Sequence, residues 1–180
     1  MMPDFKIIEA RPYHCGQMAR ILRVEHQLVV AKIGINSHQE LRFRFDDSAF
    51  RRAWLVNGKL TALGGVTGSK ASAVGYIWLA FAGVAVRYPV QIIKEARRQL
   101  AEIMITKRML FTTILEGDDA AKRFAIFLGF VPADQEDQNA ATSRFGRKEL
   151  VRRFDNNTEA RIAIGNGYAI AMRYDHEEAA

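Results

Sequence analysis

Four histidines, one cysteine and one basic turn are the parts of this chain whose residue types could do chemistry. His14, His26, His38 and His176 stand far apart and show none of the short fixed spacings of a metal centre, so no metal site is expected. Cys15 follows His14 directly, the composition of a thiol nucleophile beside its base. Adjacent positions on a helix point in different directions, so this pair reads as accidental. The stronger signal is "AVRYPVQIIKEARRQL", residues 85 to 100, placed straight after the apolar run "VGYIWLAFAG" at 74 to 83. A buried strand, a short turn and a helix can hold a phosphate where unpaired helix N–H groups and the helix dipole coincide. The turn carries no glycine, so a purely structural helix start is the competing reading.

The elements that must position such a turn follow from the pattern of apolar residues. "DFKIIEA" (4–10) reads as a first strand, and Pro12 suits a first helical turn, where its missing N–H costs nothing. From His14 to about Val30 the positions of Met18, Ile21, Leu22 and Leu28 approximate helical spacing and predict one helix. "SHQELRFRF" (37–45) predicts a second, with Ser37 as cap and Glu40 completing a capping box. In "RAWLVNGKLTALGGV" two apolar runs flank Asn57-Gly58, a dipeptide that accepts the positive φ angles of a tight hairpin turn. The run around Trp78 is then a strand buried on both faces. Pro89 opens a helix with Ile92, Ile93, Ala96, Leu100, Ile103 and Met104 on one stripe, and Lys94, Arg97, Arg98 and Glu102 on the wet side. "MLFTTIL" (109–115) is a further buried strand, followed by a short helix that Asp118 or Asp119 caps and Gly129 ends. Residues 131 to 157 are polar and loop-like, with a short helix suggested at 147 to 154. "ARIAIGNGYAIAMRY" closes the chain as a second hairpin around Asn166-Gly167. Trp54, Trp78, Phe81, Phe111, Phe124, Phe127 and Phe130 all fall where core packing explains them.

At 180 residues, 26% of them charged and 49% hydrophobic, the chain suits one domain around one core. It divides into a core over 1–131, a polar insertion or loop over 132–157, and a hairpin over 158–180 that completes the same domain. The lone Cys15 cannot form an internal disulfide, residues 1 to 12 are too charged for a secretory signal, and the uncharged run from Ala71 to Val86 is too short and too interrupted for a membrane span. A cytoplasmic protein is expected. The net charge of +6 and the pI near 9.7 favour an anionic partner. The basic residues are scattered, and no recognition helix or zinc-finger pattern supports sequence-specific DNA reading. Arg144, Arg147, Lys148, Arg152 and Arg153 form the densest group.

The order of strand, helix, hairpin, buried strand, helix, strand, helix and hairpin, together with "KRFAIFLGF" and "AWLVNGKLTALGGV", resembles the GNAT superfamily over residues 5 to about 131. More narrowly, "MARILRVEHQLVVAKIG", "IWLAFAG" and "GDDAAKRFAIFLGF" are similar to GNAT-like proteins encoded by bacteriophages, one branch of which are internal virion proteins of short-tailed phages. The resemblance implies an α+β fold. Its central sheet is mostly antiparallel, with a splayed pair of parallel central strands, helices on its faces and a C-terminal hairpin.

It also implies a site. In that superfamily the turn after the buried strand has the pattern Gln/Arg-x-x-Gly-x-Gly/Ala, and its backbone binds the pyrophosphate of coenzyme A. The matching positions here are Arg87, Tyr88, Pro89, Val90, Gln91 and Ile92. Arg87 fits, Val90 and Ile92 replace the small residues, and Pro89 deletes a donor. Arg87, Val90, Gln91 and Ile92 are therefore the expected cofactor-turn residues. Asp118 matches an asparagine that opens the second cofactor-contacting helix, and Arg123, like Lys122, is placed to reach the adenosine phosphate. Ala125 stands where many members carry a tyrosine that protonates the departing thiolate. Glu116 is the best-placed carboxylate to deprotonate an attacking ammonium. Two functions stand side by side. One is an N-acyltransferase that moves an acetyl group from acetyl-CoA to an unknown amine. The other is the same fold without catalysis, as a phage virion or DNA-associated component that meets DNA or capsid proteins in the host cytosol or the virion.

Overall fold

A computed structural model describes residues 3–32, 34, 36–115, 117–132, 151–154, 160–164 and 167–175, with backbone alone for 29, 32, 115 and everything after 150. The chain begins with β1 (Phe5–Glu9), α1 (Pro12–Ile21), α2 (Val24–Lys32) and α3 (Ser37–Asp46). The hairpin β2 (Ser48–Val56) and β3 (Lys59–Thr67) follows, then β4 (Val74–Phe81), a 3-10 turn over Gly83–Arg87 and α4 (Pro89–Met104). After β5 (Met109–Leu115) come α5 (Asp119–Phe127), β6 (Val131–Pro132), β7 (Val151–Phe154), β8 (Ala160–Ile164) and β9 (Gly167–Asp175).

The strands form one mixed sheet in the order β1-β2-β3-β4-β5-β9-β8-β7, with β6 also on β9. Among the described strands only β4 and β5 run parallel; the other pairs are antiparallel. The β2–β3 turn is the one its sequence demands: Asn57 and Gly58 have φ of 50° and 75°, and Val56 faces Lys59. Both positive angles match the right-handed twist of the flanking strands. One face of the sheet packs on α1 and α3 through Cys15, Met18, Leu41, Phe45, Leu63 and Trp78. The other packs on α4 and α5 through Val66, Leu100, Ile103, Ile114, Ala125 and Phe130.

Five sequence expectations change. The single helix expected from His14 to Val30 is two, because Leu22 is extended (φ −54°, ψ 140°), bridges Ala82 and leaves Arg23 N–H to donate to the Phe81 carbonyl at 3.0 Å. Pairing with a strand end outweighs helix propensity there. The cap of α3 is Asn36, whose side chain accepts from the N–H groups of His38 and Gln39, and Glu40 pairs with Arg44 instead of closing a capping box. Phe127 is 54% exposed, with the Arg97 guanidinium 4.8 Å from its ring centre, and is not a core residue. Residues 151–154 form strand β7, not part of a helix, because β8 offers them a ladder; Val131 and Pro132 likewise pair with β9. The last hairpin is the antiparallel β8–β9 pair, but Gly167 is not in its turn as the Asn166-Gly167 reading placed it: it opens β9 and pairs with Ile164, while Asn166 lies outside the described residues.

Candidate functional site

The site is made by a disagreement between two halves of the sheet. Strand β4 follows β3 in an unbroken ladder from Tyr76 to Phe81, and β5 follows β9 along its whole length. Between β4 and β5 the ladder holds only at Val74–Met109, Gly75–Leu110 and Tyr76–Phe111. Beyond Tyr76 each strand keeps its outer partner and the two part. Because they are parallel, they part toward their C-terminal ends, and there α4 and α5 begin. Two helix N-termini therefore stand at the mouth of one cleft, which is where open α/β sheets place ligands.

A cavity of about 160 Å³ fills the cleft and reaches both faces of the sheet. Its middle is walled by Ile77 and Leu79 of β4 and by Thr112, Thr113 and Ile114 of β5. Gly64 and Gly65 of β3 lie along it, and their lack of side chains has a steric cause. A Cβ on Gly65 would lie 2.6 Å from the Phe50 carbonyl oxygen and 2.9 Å from Ser48 Oγ, and one on Gly64 would lie 2.8 Å from the Trp78 carbonyl oxygen. The same Ser48 hydroxyl accepts from Trp78 Nε1 at 2.8 Å and donates to the Arg44 carbonyl at 2.7 Å, which satisfies the indole inside the core.

The mouth is stapled. The carbonyl of Phe81 that receives Arg23 N–H lies on the β5-facing edge of β4, since the next residue, Ala82, already donates to Thr61 of β3 at 2.9 Å. The Arg23 side chain then crosses to Asp118 at the start of α5. Asp118 divides its carboxylate: one oxygen accepts from Arg23 Nη2 and the other caps α5 by accepting from Ala121 N–H at 3.0 Å. Arg23 thus ties the end of β4 to the element that follows β5, across the gap.

The expected cofactor residues fall into two groups at this mouth. Arg87 ends the 3-10 turn and is exposed, while Pro89, Val90 and Gln91 form the first turn of α4, which no side chain caps. Val90 is 72% exposed, whereas Ile92 is 5% exposed and packs with Trp54, Ala62, Ala85 and Ala96. Its bulk turns into the core, and its N–H donates to the Tyr88 carbonyl at 3.0 Å. Asp118 is buried at the head of α5, and Arg123 is exposed farther along that helix. Ala125 is buried and lines the cavity. Glu116 lies outside the described residues, as do Arg144, Arg147 and Lys148.

On the α2–α3 side the cavity meets a polar group that sequence reading missed. His26 of α2 and Arg44 of α3 line it. Glu40 sits behind them, paired with Arg44 at the i,i+4 spacing and with its other oxygen 3.9 Å from His26 Nε2. Burial pushes the Glu40 carboxyl up, but the Arg44 guanidinium and then His26 outweigh it and hold it below its usual value. Arg44 also bonds to Tyr76. The Glu40-x-x-x-Arg44 spacing was visible in the sequence; nothing local marked His26. The adjacent His14 and Cys15 do not form a nucleophile pair: His14 Nδ1 accepts from Arg11 N–H at 2.8 Å, and the buried Cys15 faces the Leu41 carbonyl at 3.9 Å. Among the described residues no cluster of three or more His, Cys, Asp or Glu could hold a metal ion, and no helix is long and apolar enough to cross a membrane.

No family model and no curated protein matches the sequence. Solved structures do match its fold. The chain is similar to an aminoglycoside acetyltransferase in complex with coenzyme A, with a TM-score of 0.58 at 12% identity over 97% of this chain and 96% of that one. It is similar to spermidine N-acetyltransferase from Vibrio cholerae in complex with CoA and spermine, with a TM-score of 0.57 at 10% identity over 95% of both chains. It is also similar to an acetyltransferase of the GNAT family from Streptococcus pneumoniae, with a TM-score of 0.52 at 13% identity over 96% of this chain and 99% of that one. A sheet parted between its parallel strands β4 and β5, with helices opening at the mouth, is in this chain the GNAT fold.

Proposed function

We propose that this protein transfers an acetyl group from acetyl-CoA to an amine. The observation that carries the reading is the three-pair ladder between β4 and β5, which leaves an open slot of strand edge between two helix starts. The thioester arm fits that slot: the facing edges of Ile77–Leu79 and Thr112–Ile114 have no ladder partner in each other, and their amides can bond the arm and polarise its carbonyl, as oxyanion donors do. The phosphates fit the first turn of α4. Val90 and Gln91 supply the orphan N–H groups of a helix start, Arg87 adds charge from the turn, and the inward Ile92 leaves the approach open. Arg123 supplies a cation for the adenosine phosphate from α5. Pro89 removes one donor, so fewer backbone bonds hold the pyrophosphate than a glycine-rich turn would give. Ala125 has no proton to give, so the departing thiolate takes one from water.

Titration calorimetry with acetyl-CoA tests this reading. Micromolar affinity is expected, weakened at least tenfold in Arg87→Ala; no binding at millimolar acetyl-CoA overturns it. A second reading keeps the fold and drops the chemistry: a phage-encoded virion or DNA-associated component, with DNA or capsid proteins as partners. The surplus of positive charge and the glycine-free turn favour it. Retention on DNA that falls steeply with salt, together with no acetyl-CoA binding, is the result it requires.

A further inference from the structure

We infer that His26 is the group that takes the proton from the acceptor amine, with Glu40 as its positioning residue; this rests on the acetyltransferase reading. Buried polar groups almost always find partners, and each exception needs a reason. Among the described residues, His26 Nε2 and Glu40 Oε2 are both buried without a hydrogen bond, yet they face each other across 3.9 Å. That gap is too long for a direct hydrogen bond. A nitrogen placed between them at ~2.8 Å from each would meet two acceptors at once, the requirement of a primary ammonium about to lose a proton.

The surroundings make His26 the acceptor. Glu40 is already committed to Arg44 through its other oxygen, and is held ionised there. A carboxylate so stabilised is a weak base. The other charged side chains that line this cavity are Arg23, Arg44, Arg52 and Asp118, and Arg52 is paired with Glu102. Arg23 is paired with Asp118, and Arg44 bonds to Glu40 and Tyr76. Of these side chains only His26 offers a ring nitrogen that can accept a proton and that carries no hydrogen bond. The carrier element can also yield. Among the described side chains of α2 only Val30 is buried, while Val24 and Leu28 are exposed, so a small outward shift of α2 admits the amine with little core to disturb. His26 lines the same cavity as Thr112 and Thr113, from the sheet face opposite α4 and α5. The amine and the thioester thus enter from different sides.

The step balances. His26 Nε2 accepts one proton from R–NH₃⁺, and the freed lone pair forms the N–C bond to the thioester carbonyl. The C–S bond then breaks and sulfur leaves with its electron pair; the second proton of the acylated nitrogen passes through water to that thiolate, and His26 returns its proton to solvent, so one proton is released per amide formed. The test follows thiol release from acetyl-CoA with spermidine, tobramycin and glycinamide offered in turn as acceptors to wild type, H26Q, H26N, E40Q and E116Q. For the amine that wild type acetylates, H26Q and H26N should lose 100-fold or more in kcat/KM and with it the acid limb of the pH profile. Both should keep acetyl-CoA affinity within twofold, which also shows that they fold. E40Q should raise the amine KM and lower kcat/KM about tenfold while the acid limb persists, as expected of a residue that positions the base and is not the base itself. Unchanged rate and profile in H26Q, or loss of the acid limb in E116Q in its place, overturns the assignment while acetyl transfer stands. Wild type that binds acetyl-CoA but acetylates none of the three amines also overturns it. Wild type that binds no acetyl-CoA removes the acetyltransferase reading itself.

Discussion

Asp118→Asn isolates the staple across the mouth of the cleft. The substitution keeps an oxygen for the α5 cap, and asparagine caps a helix about as well as aspartate, so the bond to Ala121 N–H at 3.0 Å is retained. It removes only the charge opposite Arg23, at a pair whose side chains are 14% and 8% exposed. Breaking a buried ion pair from one side costs roughly 3–5 kcal/mol, since the remaining charge stays buried; the residual exposure and the surviving amide oxygen place the expected loss at about 2–3 kcal/mol. In a chain of this size that is a fall in Tm of about 4–12 °C. Arg23→Met alone should cost a comparable amount, and the double variant should recover about 1 kcal/mol or more relative to the sum, because neither charge is then stranded. Urea unfolding of the four proteins at pH 7 supplies the cycle. Additive effects, each below about 0.5 kcal/mol, would refute the staple and reduce the pair to a solvated contact.

Two further outcomes follow from the packing. Gly65→Ala should cost about 1–3 kcal/mol by urea midpoint, because the added carbon meets the Phe50 carbonyl at 2.6 Å, whereas Gly83→Ala, with nothing within 4 Å, should be neutral to slightly stabilising. Burial pushes the Cys15 thiol up to about 11, so the native protein should react slowly with a thiol reagent at pH 8 and rapidly once unfolded. The sign for stability follows: the protonated thiol's contribution is complete below the unfolded thiol's pKa and fades as pH rises toward about 11, and Cys15→Ser should flatten that alkaline loss in a pH series of unfolding midpoints.

Much of the architecture was legible because it is written in local chemistry. Asn57-Gly58 encodes positive φ, Pro89 and Asp118 mark helix starts, Gly129 marks an end, and the stripe from Ile92 to Met104 encodes a buried helix face; each acts within a few residues of itself. The order of these elements was enough for the resemblance to a parted sheet. The failures have the opposite character. The break at Leu22 exists because Ala82, 60 positions away in the chain, offers an edge, and Ile92 turns inward because Trp54 and Ala62 are there to receive it. Arg23 meets Asp118 across 95 positions, and His26 faces Glu40 only because α2 and α3 fold against one sheet face. Local propensity fixes how each segment bends. Which side chains share the cleft depends on where separate ladders diverge, a property of pairing partners and not of any one segment.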